Sequence, residues 1–119
     1  MTTKEIADRL VELSRKGDFE KAQKELFADN AVSVEPYATP AFEKETKGLK
    51  AIKEKGDKWN SMVQQTDSLI VSDPLVASNS FACTMQMKVI IKDRGQIDIN
   101  ELCVYQVKDE KIISEQFYM

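Results

Sequence analysis

The sequence predicts an α+β domain, with three helices grouped at its start and an antiparallel sheet built from its second half. Apolar residues recur at helical spacing before Val63 and at a period of two after it. Turn signals at Asp93-Arg94-Gly95 and Lys108-Asp109-Glu110 divide that second half into long strands. A chain of 119 residues, 42% hydrophobic and 31% charged, is long enough to bury one core without disulfide or metal staples. Helices at one end and strands at the other define the class.

The first helix starts at Thr2, which has capping-box spacing to Glu5, and carries an apolar stripe of Ile6, Leu10 and Leu13. Gly17 suits its C-terminal stop. Asp18 is expected to cap a second helix, buried through Phe19, Ala22, Leu26 and Phe27 and ending near Asp29-Asn30. Ala31 to Glu35 alternates as a short strand, closed by Pro36. Pattern then vanishes from Pro36 to Lys47, a loop whose apolar members are Tyr37, Pro40 and Phe42. Loops of that length in a small domain are functional or mobile. A third helix runs from Gly48 to about Val63 on a stripe of Leu49, Ile52, Gly56, Trp59 and Val63. Gly56 costs about 1 kcal/mol against Ala there, which suggests close approach of another group.

Strands follow at Thr66–Asp73, Leu75–Ser78, Phe81–Lys92, Gln96–Val107 and Lys111–Tyr118. In the third of these Phe81, Cys83, Met85, Met87, Val89 and Ile91 share a face. In the next, Ile97, Ile99, Cys103, Tyr105 and Val107 do, with Leu102 and Val104 opposite. One face must cover the helices. The other is apolar enough in mid-strand to suggest a partner, most simply a second copy.

Composition removes several function classes. Lys plus Arg is 17 against 20 for Asp plus Glu, a net charge of −3, which argues against nucleic acid or an anionic membrane as partner. The chain has no histidine, so it holds no imidazole relay and no His-ligated metal. Cys83 and Cys103 stand singly in apolar runs without CxxC spacing, as small buried hydrophobes of a reduced compartment do, with a disulfide or a reactive thiol as the alternative. The N-terminus lacks a signal-peptide core and no apolar run is long enough for a membrane span, so a cytoplasmic protein without cofactor or metal is expected.

Several phrases resemble the nuclear transport factor two-like superfamily, and within it the SnoaL-like group. They are Leu26-Phe27-Ala28-Asp29-Asn30-Ala31 through Glu35-Pro36, the Lys47-Gly48-Leu49-Lys50-Ala51-Ile52 opening of helix three, and the closing Val104-Tyr105-Gln106-Val107 with Lys111-Ile112-Ile113. The resemblance spans the chain. It implies a cystatin-like, SnoaL-like α+β barrel, in which a curved sheet wraps the third helix to form a cone with a largely apolar cavity. It also implies dimerisation through the outer sheet face. It does not specify a reaction, because the fold hosts isomerases, cyclases, hydratases, epoxide hydrolases and binders.

Within that frame Glu35 lies directly before Pro36, where ketosteroid isomerase-like members place a catalytic Asp-Pro. An acid in an apolar cavity can be tuned to act as a general base near neutrality; otherwise Glu35 is a solvated strand-end carboxylate. Glu101 interrupts the apolar face of Ile97, Ile99, Cys103 and Tyr105, so it lies at a pocket edge or is paired in a salt bridge or interface. Trp59, Met85, Met87, Tyr105, Tyr118 and Tyr37 are candidate ligand contacts, with core packing or a surface position as the alternative for each.

The departures are as informative. Where the isomerase-like members carry an oxyanion-stabilising phenol, this chain has Leu10, and their oxyanion acid falls near Cys103, two residues from Glu101. The Asp-His pair of cyclase and hydratase branches is absent, and Arg9, Arg15 and Arg94 lie on the first helix and in a turn. No complete known active site is reproduced. The leading expectation is a protein that binds a small, largely apolar molecule in the cone, as a homodimer. The alternatives are an isomerase, cyclase or hydrolase using Glu35 with Glu101 or Tyr105, and an interaction module using the exposed sheet face. For binding, the cavity is expected to reach about 300 Å³.

Overall fold

The computed structural model describes all 119 residues. Helix α1, Thr3–Arg15, opens with the capping box in place: Thr2 Oγ1 accepts from the Glu5 backbone N–H, and Glu5 accepts from the Thr2 N–H. It closes through Lys16 and a left-handed Gly17. Helix α2, Phe19–Leu26, has Asp18 at its N-cap position, but the Asp18 side chain makes no capping bond. It also stops three to four residues before Asp29-Asn30. Phe27 turns extended, is buried, and pairs with Ile112, so burial in the sheet overrides the helical pattern there. Strand β1 is therefore Phe27–Val34, longer than expected, with an irregularity between Phe27 and Val32 where Asp29 and Asn30 face water.

The stretch after Pro36 is not wholly a loop. Its end, Glu45–Lys47, forms β2, pairing antiparallel with Val32–Val34 of β1. Helix α3, Leu49–Met62, leads without a break into β3, Val63–Val71, three residues earlier than the periodicity placed it. Strands β4 (Leu75–Ala77), β5 (Ser80–Ile91), β6 (Gly95–Lys108) and β7 (Lys111–Tyr118) follow. The last two turns take left-handed residues, Asp93 and Gly95 in one, Asp109 and Glu110 in the other.

The sheet order is β2-β1-β7-β6-β5-β3, with β4 beside β5. All pairs are antiparallel except β1 with β7. Register slips in β3, β1 and the β6–β7 pair bend the sheet around the helices without closing it. Cross-strand partners Phe81–Tyr105, Cys83–Cys103, Met85–Glu101 and Met87–Ile99 set one face of β5 and β6 inward. Eighteen buried residues form a continuous core, anchored by Ile6, Leu10 and Leu13 of α1, Leu26 of α2, Phe81 of β5 and Ile112 of β7. Both cysteines are buried and free. No helix is long and apolar enough to cross a membrane.

Helix α3 departs from an ordinary core helix. Of its expected stripe only Ile52 is fully buried, while Leu49, Gly56, Trp59 and Val63 keep partial exposure. At Gly56 and Trp59 the helix borders a void rather than packed side chains. Gly56 shows it directly: a Cβ built there meets nothing within 4 Å, so no close approach explains the glycine. Gly56→Ala is expected to stabilise the fold by about 1 kcal/mol, read as a raised urea midpoint at constant m-value.

Candidate functional site

Three elements bring acids and a lysine together at the inner end of the cone. Lys55 lies on α3 between Ile52 and Trp59, Ser33 and Glu35 lie at the end of β1, and Glu115 is on β7. Lys55 Nζ donates to Ser33 Oγ at 2.6 Å and to Glu35 Oε2 at 3.2 Å. Ser33 Oγ in turn donates to Glu115 Oε2 at 2.7 Å. The hydroxyl thus links the ammonium to a carboxylate buried to 6% exposure. Burial is the larger influence on Glu115 and pushes its carboxyl up, while Ser33 and Lys55 pull it down.

Glu101 sits beside this network without joining it. It lies on β6 opposite Met85, and makes no salt bridge; only the Cys103 thiol points to Oε1, at 3.9 Å. Burial first, then the charges of Glu35 and Glu115, push its carboxyl from 4.5 to about 7, with Lys55 acting in the opposite direction. Of the sequence alternatives for Glu101, the salt bridge does not form, and the residue lines the pocket. Tyr105, two strand positions further inward, stacks on Phe81 with ring centroids 4.8 Å apart. It is 3% exposed and its hydroxyl bonds to no protein group, yet no sealed side-chain oxygen lacks a partner. The hydroxyl therefore opens into the void. Burial holds the phenol neutral, raising its pKa well above the ordinary value.

These groups line a cavity of about 260 Å³. Its apolar wall is Phe42, Trp59, Met85, Met87, Ile99 and Phe117, and its polar end is Glu35, Lys55, Glu101, Tyr105 and Glu115. The volume is slightly below expectation, and only nine of nineteen lining residues are hydrophobic. Six expected site residues meet here: Glu35, Glu101, Trp59, Met85, Met87 and Tyr105. Two do not. Tyr37 is exposed on the loop, and Tyr118 pairs with Leu102 on the outward face, because Phe117 takes the inward position beside Cys103. No group of three or more acids and cysteines is arranged to hold a metal ion.

Sequence reasoning missed Lys55, Ser33, Glu115 and Phe42. Lys55 was readable, since it falls three residues after Ile52 and four before Trp59 on the buried stripe. Glu115 shares strand parity with Phe117. Phe42 enters because Lys58 sits over its ring, 5.3 Å from the centroid, and donates to the Ala41 carbonyl, tying the loop to α3.

A carboxyl raised to about 7 from 4.5 costs the fold stability as pH rises through that interval, because the unfolded chain ionises first. Glu101→Gln is expected to match the parent in acid and to exceed it by about 3 kcal/mol above neutrality, measured by urea unfolding across pH.

Known proteins share this architecture. The SnoaL-like domain model matches residues 1–119. A Mesorhizobium loti protein described as a SnoaL-like polyketide cyclase [carbohydrate phosphatase] is 30% identical, with both chains covered 100% and a TM-score of 0.93. A Bacillus subtilis protein described as an isomerase is 20% identical over 99% of this chain and 88% of its own, with a TM-score of 0.76. A ketosteroid isomerase-like fold protein from Catenulispora acidiphila DSM 44928, in complex with trimethylamine, is 18% identical over 99% of this chain and 87% of its own, with a TM-score of 0.70. The last two establish the fold alone. No curated protein sequence matches. With its family model matched from end to end, the chain belongs to the SnoaL-like domain family.

Proposed function

We propose that the chain binds a small, largely apolar molecule bearing one polar group in the cone. The observation that carries this reading is the two-sided cavity, with Trp59, Met85, Met87 and Ile99 on one wall and the Glu101 carboxyl, which has no salt bridge, and the Tyr105 hydroxyl facing them. A void next to two such groups is where convergent polar contacts would orient a ligand. At about 260 Å³ it holds a compact molecule rather than a polyketide-sized one.

A second reading, catalysis, is favoured by Glu101. Its carboxyl titrates near 7 inside an apolar site, which suits proton transfer at neutral pH. Glu35 is held in an ion pair with Lys55, so in this reading Glu101 is the base and Tyr105 the hydrogen-bond donor. The outer sheet face, with Ile70, Leu102 and Tyr118 exposed, is the surface on which a second copy would dock. Light scattering that returns a monomer would leave that face to a different chain.

Trp59 is the chain's one tryptophan and lines the cavity, so its emission reports occupancy. Cyclohexanol is expected to shift it saturably in the parent and not in Ile99→Phe, which fills the void while keeping the thermal midpoint. An unsaturable response in the parent, with no adduct by native mass spectrometry after purification, removes the binding reading. For any compound turned over, Glu101→Gln is expected to lower kcat by about 10²–10⁴-fold, while Tyr118→Phe leaves it unchanged.

A further inference from the structure

We propose that the ligand of this cavity is a small organic ammonium ion, its charged nitrogen against Glu101 and Tyr105 and its hydrocarbon body against Trp59. The proposal rests on the cavity being a ligand site and specifies what that site recognises. The first argument is charge. Three carboxylates, Glu35, Glu101 and Glu115, face the polar end, and Lys55 is the one ammonium bonded among them. Lys53, also at the rim, is taken by Glu20 and Asp57 at 3.6 and 3.0 Å. With Lys55 committed to Ser33 and Glu35, Glu101 is left as an acid without a cation.

The second argument is independent of the acids. The Tyr105 hydroxyl is on a side chain buried to 3% exposure, has no protein partner, and opens into the same void. A hydroxyl that opens into the void with no protein partner is free to accept a ligand N–H. The third concerns the wall. Lys55 and Lys58 already lie over the rings of Phe117 and Phe42, at 5.8 and 5.3 Å, whereas the Trp59 indole has no cation over it. The indole face is therefore left open as an apolar wall for the hydrocarbon body of the ligand. Lys55 shows the same recognition within the chain: an ammonium between carboxylate and hydroxyl oxygens, with an aromatic ring nearby.

The charge state of Glu101 decides affinity. The titratable groups that face it are Glu35 from β1, Lys55 from α3, Cys83 from β5, Cys103 and Tyr105 from β6, and Glu115 from β7. Its carboxyl ionises near pH 7, so an ammonium ligand binds more tightly above that pH and releases a proton on binding below it. A neutral ligand accepting a hydrogen bond from protonated Glu101 shows the reverse dependence.

Cyclohexylammonium and cyclohexanol share a ring and differ in the charge of one group, so they form the test pair, read by Trp59 emission. In the parent at about pH 8.5 the ammonium is expected to bind about tenfold more tightly than the alcohol. That preference is expected to fall below about twofold at about pH 5.5, and at either pH in Glu101→Gln. The pH arm uses the parent protein, so it decides the matter even where the variant fails to fold. Alcohol bound as tightly as ammonium at the higher pH overturns the ammonium ligand and leaves the cavity reading intact. A preference that persists in acid and in Glu101→Gln overturns Glu101 as its anchor. Neither compound shifting Trp59 at millimolar concentration overturns the cavity reading together with this one.

Discussion

The arrangement depends on one ammonium group placed among carboxylates where water is scarce. Lys55 reaches from α3 to the end of β1, bonding Ser33 and Glu35, and through Ser33 it reaches Glu115 of β7. Without it the cone would hold buried acids with no compensating charge, each costing several kcal/mol unless protonated. The bonds also fix geometry. They fasten the helix to two adjacent strands that pair in parallel, the one parallel contact of the sheet. Glu101 is the residue this arrangement does not satisfy, and burial first, then the charges of Glu35 and Glu115, hold its carboxyl up at about 7.

The void itself follows from how α3 is seated. A helix packed flat on a sheet would bury its whole stripe, but here Ile52 alone is sealed. Along Gly56 to Trp59, the side chains across from the helix, Met85, Met87 and Ile99, line space instead of filling it. Gly56 and the half-exposed Trp59 are the helix side of the same gap. The bends in β3, from two register shifts, supply the curvature that keeps the sheet from collapsing onto it.

Much of the fold was legible in the residues, for reasons that can be named. The capping box at Thr2 and Glu5 acts locally, so the start of α1 could be read directly. The period-two runs and turns from Phe81 onward set both strand ends and faces, because β5, β6 and β7 are consecutive hairpins. The junction of α2 with β1 was not legible. Phe27 fits the helical stripe, and only its distant pairing with Ile112 makes it a strand residue. Strand β2 was hidden similarly, since Glu45–Lys47 has no apolar pattern and exists through its partner β1. At the site, Glu101 stood out because it broke an apolar alternation. Glu115 did not, because Ser114 and Gln116 beside it make a polar run in which no single acid is conspicuous. Tyr118 was ambiguous in the sequence, and its position on the opposite side of the strand from Phe117 and Glu115 decides against the cavity.

The sheet order has a consequence for how the molecule comes into being. Strand β7 is the last of the strands to be synthesised, yet it lies in the interior of the sheet, between β1 near the start of the chain and β6. On the ribosome the two halves of the sheet therefore wait as separate pieces, each with an open edge, until that strand emerges. Loop closure between β1 and β7 spans most of the chain, so the joining step is the slow, non-local one. Because β7 also carries Glu115 and Phe117, one acid of the polar end and part of the apolar wall arrive together with the strand that unites the sheet. The pocket is complete only once that strand has joined β1 to β6.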